Sequence, residues 1–147
     1  MINKKYLNIS IIYAIAAMIG GVFYREFTKF NGFTRVTMLG KVHPHLFLLG
    51  TFMFLIIALF DKRDNLKKAK SFRVFMFVYN IGLTLTVIMM IVRGVLEVLG
   101  TEISKGLNGA ISGIAGMAHI ILGIGIILLL VSFKFIADPK SSEKKKK

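Results

Sequence analysis

Three histidines are the residues of this chain best suited to chemistry. His43 and His45 flank Pro44 in GKVHPHLFLLG, and His119 lies in GMAHIILG. Neutral imidazole is the commonest metal ligand, and imidazoles from two facing helices can hold a haem iron from both sides. The chain has no cysteine, which removes disulfides and thiolate ligands. No carboxylate lies near the histidines in sequence, which disfavours a hard-cation site and a di-iron centre with its Glu-x-x-His pattern. No nucleophile–base constellation and no phosphate-binding glycine loop is visible, so nothing points to an enzymatic reaction.

The elements that must position these rings are apolar. The 147 residues are 55% hydrophobic, and the mean hydropathy is +0.71. The apolar residues fall in blocks, where a soluble fold would spread them over amphipathic faces. A membrane span needs about 20 mostly apolar residues to cross roughly 30 Å of hydrocarbon. Four blocks qualify, near residues 6–24, 43–60, 74–92 and 107–136, followed by a basic tail at 137–147. The expected fold is all-α: one domain, an integral membrane four-helix bundle. Lys4 and Lys5 ahead of the first block resemble the start of a signal peptide. Gly20 to Arg25 offers no small-residue cleavage site, so the block reads as a retained helix.

Charge orients the bundle. Fourteen of the twenty basic residues precede the first span, fill the loop between the second and third, or follow the fourth. By the positive-inside rule both termini face the cytoplasm of a multi-pass protein in a bacterial cell membrane. The net charge of +13 therefore serves the lipid bilayer, with Lys144 to Lys147 near anionic headgroups, and not a nucleic acid. The short loop DKRDNLKKAK makes the second and third helices antiparallel neighbours. Residues 25–42 form a short interfacial helix or extend the second helix outward beyond Gly40, and residues 93–106 form the other outer loop.

Counting inward from the basic ends gives depth. His45 lies sixteen residues before Asp61 and His119 fifteen before Lys134, which puts both about 22–24 Å above the inner boundary at 1.5 Å per residue. Two helices thus bring imidazoles to one layer, where ionisable groups are costly and usually face the bundle interior. Gly109, Gly113, Gly116 and Gly123 share a helix face with His119, suited to close helix packing or to a flat, bulky ligand. Gly40, His43, Phe47, Gly50 and Phe54 share a face of the second helix, and His45 points about 160° away from His43. Pro44 either kinks this helix, with Gly40 giving the backbone room, or begins it. Arg25 and Arg93, near outer helix ends, fit the two propionates of haem or snorkel to the interface.

The stretch HPHLFLLG resembles the H-x-H opening of the second helix in small haem- or copper-associated membrane proteins, including the NnrS-type proteins of nitric-oxide metabolism. More distantly it is similar to the haem-ligand helix in the catalytic subunit of haem-copper oxidases and nitric oxide reductases. The whole chain, with HxHLxLLG in its second span and GxxHxxxG in its fourth, looks like an uncharacterised bacterial four-helix membrane family. The resemblance implies that His45 or His43 ligates haem b, with His119 opposite. It also implies a homo-oligomer, a trimer or dimer, because the oxidase subunit arranges its helices in arcs of four. The chain lacks the further histidines of a copper centre and a cross-linked Tyr-His pair, so oxygen reduction is not implied.

The expected function is a small b-type haem protein for electron transfer, haem handling or sensing of a diatomic gas, its redox partner unspecified. The alternative is a copper or zinc site in a transport or assembly protein, built from His43, His45 and His119 with Met38 and Met117 nearby. A proton-coupled multidrug exporter needs a carboxylate within the membrane, and Glu26 and Glu97 lie only at helix ends.

Overall fold

The computed structural model describes residues 2–61 and 65–137. Among these residues every regular element is a helix: α1 (Lys4–Phe30), α2 (Leu39–His45), a π-helical segment (Leu46–Phe52), α3 (Met53–Phe60), a short 3-10 turn (Leu66–Lys68), α4 (Lys70–Leu99) and α5 (Lys105–Ala137). Helix α2, the π segment and α3 run on as one stretch, Leu39–Phe60. Four helices are therefore long and apolar enough to cross a membrane.

Helix ends show why the chain turns where it does. At the start of α1 the Asn3 side chain accepts the Lys5 amide at 3.2 Å, capping a first turn that would otherwise expose its donors. Gly32 (φ 61°) and Gly100 (φ 62°) end α1 and α4 in the left-handed conformation that only glycine adopts cheaply. In both stops the residue after the glycine donates to the carbonyl five residues back: Phe33 N–H to Thr28 O, 2.9 Å, and Thr101 N–H to Leu96 O, 3.1 Å. Helix α1 therefore runs on to Phe30, so Arg25 to Phe30 belong to it and not to a loop. Likewise α4 absorbs Arg93 to Leu99, and the connection to α5 shortens to residues 100–104.

The second span starts at Leu39, earlier than its apolar run, because α4 holds its entry. Glu97 Oε2 accepts the Met38 amide at 2.7 Å, and Thr37 Oγ1 donates to Gly94 O at 3.1 Å. Gly94 has no side chain to keep the Leu39 backbone away. Pro44 thus lies inside the helix rather than at its start, and the π segment begins two residues later. A wide π turn shifts carbonyls out of the regular ladder. Two of them take side-chain hydroxyls from neighbouring helices: Leu49 O from Tyr79 at 2.6 Å and Thr51 O from Ser10 at 2.8 Å.

Packing is serial. Helix α1 lies on the second span, which lies on α4, which in turn carries α5. The α1 start meets the α3 end through Asn3 N–H to Ala58 O, 3.0 Å, and Asn3 Nδ2 to Asp61 O, 3.1 Å. Together with the Met38–Glu97 bond and a Ser71–Ser132 hydroxyl pair at 2.8 Å, this makes sequential neighbours antiparallel. An aromatic core of Tyr6, Tyr13, Phe54, Phe72, Phe75 and Tyr79 joins α1, the second span and α4. Helix α5 buries one seam, Ile111, Ala118, Leu122, Gly125, Leu129 and Ser132, on α4. Its alternating threes and fours are the spacing of left-handed antiparallel packing. Gly82 and Gly125 let the two backbones close on each other, since a methyl group at either would overlap Leu122 or Tyr79. Residues 138–147 of the tail expected at 137–147, and Lys62, Arg63 and Asp64, lie outside the described residues.

Candidate functional site

Each histidine ring is held by its own backbone environment. His43 Nδ1 lies 3.0 Å from Ala17 O of α1. His45 Nδ1 lies 2.8 Å from Lys41 O, and His119 Nδ1 lies 2.7 Å from Ala115 O, each one turn back on its own helix. A carbonyl only accepts, so the neutral ring is protonated at Nδ1, which leaves the Nε2 lone pair without a partner among the described residues. Metal-bound histidines recurrently show this arrangement: one nitrogen donates to a carbonyl and the other faces the metal.

The three rings do not converge. His43 turns toward α1, edge-on to Phe47 with ring centroids 4.7 Å apart. Gly21 makes room for it, because a methyl carbon there would lie 2.9 Å from Nδ1. His45 is half-buried and points elsewhere, as the 100° helical step requires. His119 is exposed on α5. Helices α2 and α5 both pack on α4, and no substantial packing joins them among the described residues. The expectation that His119 and the second-span histidines face a common interior therefore fails within one chain: matched depth does not make two helices neighbours.

The glycines divide as sharply. Gly109, Gly113, Gly116 and Gly123 have nothing within 4 Å of where a side chain would begin, so the face they share with His119 is open. Gly50 is the opposite case. Tyr13 fills the space above it, which leaves no room for a bound group there. The face of Gly40, His43, Phe47, Gly50 and Phe54 is real, and it is turned to α1.

That contact leaves a crevice of about 390 Å³ between α1 and the second span, lined by His43, Arg25, Met18, Gly21, Tyr24 and Gly40. It brings together two of the residues picked out by type, His43 and Arg25. The Arg25 side chain stays at the rim, 78% exposed, 3.6 Å from Glu26. Met18 and Tyr24 join the crevice without any sequence signal to separate them from other apolar-run residues. Arg93 is elsewhere: Nη2 donates to Asn108 Oδ1 at 3.1 Å and Ser112 Oγ at 2.8 Å, tying α4 to α5. Among the described residues no three His, Asp or Glu side chains cluster as a metal site.

A half-buried polar seam carries no strong signal in the sequence. Tyr13 donates to Asn80 Oδ1 at 2.6 Å, and Asn80 Nδ2 donates to Met76 O at 2.7 Å. Asn80, the sole asparagine in the third apolar run, is the signal that could have found it.

The protein is thus defined first as a chain of four long apolar helices with a histidine-lined crevice at one helix contact. Residues 3–135 match the family described as "Protein of unknown function (DUF2871)", and the chain belongs to that family. No curated protein and no solved structure matches it. The likeness of HPHLFLLG to NnrS-type proteins and haem-copper enzymes rests on that motif alone.

Proposed function

We propose that this chain spans a cell membrane four times, with both ends and the 61–69 connection on the cytoplasmic side, and binds b-type haem in the α1–α2 crevice. The carrying observation is His43: its Nδ1–H is fixed by Ala17 O, and the ring lines a crevice with Arg25 at the rim. The volume, about 390 Å³, falls within the roughly 300–1,000 Å³ of small-molecule sites. Its side opening admits part of a macrocycle from the lipid phase. Haem would supply an iron centre able to exchange an electron or bind a diatomic gas.

In this reading the protein's own parts have distinct tasks. Ala17 O fixes the tautomer and orientation of His43 and raises the basicity of Nε2. Gly21 gives the His43 ring room to lie against α1, Gly40 does the same for Tyr24, and Arg25 offers a bidentate fork to a carboxylate at the outer surface. One chain contributes one imidazole here, which favours gas binding or haem handling over a bis-imidazole electron carrier. His119 on its open face is the ligand that a second copy could bring in a homo-oligomer.

The test is an absorption spectrum of detergent-purified protein with added haem. A Soret band that His43→Ala abolishes and His119→Ala leaves intact is the expected result. Split α/β bands lost in both variants would assign His119 of a second copy to the iron. Protein that stays colourless, or haem uptake unchanged in His43→Ala, would end the proposal.

A further inference from the structure

We infer that the end of the α4–α5 pair opposite Lys70 is a binding site for a zwitterionic phospholipid headgroup, an ammonium–phosphate pair of the phosphoethanolamine type. The inference shares with the haem reading only the bilayer placement. A pocket of about 210 Å³ lies there, lined by Arg93, Glu97, Thr101 and Asn108 over the apolar Leu96 and Ile111. It equals about seven times the roughly 30 Å³ that one water occupies in the liquid.

Its two charges are one helical turn apart, where opposite charges ordinarily pair. No ion pair forms between them among the described residues; the one found joins Arg25 to Glu26. Each is instead held by neutral groups. Arg93 Nη2 is bound to Asn108 and Ser112, which leaves Nε and Nη1 without acceptors among the described residues. Glu97 Oε2 accepts the Met38 amide, and Oε1 has no partner among them. A cation and an anion, separately fixed and both facing one pocket, complement a ligand that carries both signs. A simple anion would meet Glu97, and a simple cation would meet Arg93.

Depth selects lipid over a soluble zwitterion. Arg93 lies twenty residues from Arg73 at the basic end of α4, about 30 Å at 1.5 Å per residue, one hydrocarbon thickness. Arg93 thus stands where the phosphates of the far leaflet lie. Glu97, one turn further out, stands at or beyond the level of the ammonium, which ends the headgroup on its water side. Leu96, Ile103 and Ile111 in the lining suit the glycerol and first methylenes.

The test uses the full chain in detergent, stripped of lipid, with bound lipid counted by native mass spectrometry. Short-chain phosphatidylethanolamine, phosphatidylcholine, phosphatidylglycerol and the acyl-free glycerophosphoethanolamine are titrated in parallel. Phosphatidylethanolamine should bind about 10-fold tighter than the other two lipids, as one charge-assisted hydrogen bond implies. Phosphatidylcholine has no N–H to donate to Glu97, and phosphatidylglycerol has no ammonium. Glu97→Gln keeps an acceptor for the Met38 amide and should erase the preference over phosphatidylcholine while leaving haem uptake unchanged. Arg93→Gln should weaken all three lipids about 10-fold, and Arg93→Lys should restore most of that. Equal binding of the three lipids, an intact preference in Glu97→Gln, or glycerophosphoethanolamine binding as tightly as the lipid would each overturn the inference.

Discussion

The two faces richest in glycine and histidine have opposite fates. On the second span, Gly40, His43 and Gly50 lie against α1, and a side chain on either glycine would meet Tyr24 or Tyr13. On α5, Gly109, Gly113, Gly116 and Gly123 have nothing within 4 Å of a built side chain among the described residues, and His119 is exposed. Both faces place small residues at helical spacing around an imidazole, yet one is a packed contact and the other a free surface. What separates them is whether a neighbour brings residues shaped for the gap. Helix α1 brings two tyrosines and the Ala17 carbonyl, while the glycine face of α5 has no partner among the described residues.

Glycine substitution should give the largest contrast. Gly50→Val drives a branched side chain into the Tyr13 ring and should destabilise the protein by about 1–3 kcal/mol, as overpacking does. Gly123→Val, into open space, should change stability by less than about 0.5 kcal/mol. Thermal unfolding in detergent, followed by circular dichroism, checks both. A Gly123→Val loss as large as that of Gly50→Val would mean that a second copy covers the α5 face, and the contrast would then lie between chains.

Hydroxyl deletion probes the packed side next. Tyr79→Phe strands Leu49 O at the π segment, and Tyr13→Phe strands Asn80 Oδ1. Each should cost about 1 kcal/mol, the net worth of a hydrogen bond at a half-buried position. Adding Asn80→Leu to Tyr13→Phe should recover part of that loss, because the orphaned acceptor is then gone. A double variant no better than the sum of the singles would show that the two groups are not coupled.

The histidines themselves come after that. His43→Ala loses the bond to Ala17 O and the ring contact with Phe47, and should destabilise the haem-free protein by about 1 kcal/mol. His119→Ala removes a ring bonded only to its own helix and should be neutral within about 0.5 kcal/mol. Thr37→Val gives the smallest effect on the packed side, about 0.5 kcal/mol. It removes one hydroxyl that donates to Gly94 O and accepts the Leu39 amide. Amide exchange at Leu39 to Lys41 would report it as earlier opening of the α2 entry.

Much of the fold could be read without coordinates. Four apolar runs of membrane length became four long helices. The face joining Gly40, His43, Phe47, Gly50 and Phe54 followed from helical periodicity, as did the divergence of His45 from His43. Boundaries were less legible. Arg25 to Phe30 read as part of a separate outer segment because their charges end the apolar run, yet Gly32, and not hydropathy, stops α1. Leu39 opens the second span because Glu97, fifty-nine residues from Met38 in sequence, accepts the Met38 amide and Thr37 accepts the Leu39 amide. The crevice was half legible. His43 and Arg25 stood out by type, whereas Met18, Gly21 and Tyr24 were ordinary residues of an apolar run until α1 met the second span.

By itself the sequence determined that this chain is helical, how many helices it forms, and which residues share a face of each. Backbone periodicity and the length of apolar runs are local properties, and they survive whatever the helices touch. Only tertiary structure decided which face meets which neighbour. A helix apolar on every side carries almost no amphipathic signal to say where it is covered. Hence His43 gained Ala17, Gly50 gained Tyr13, and His119 was left open.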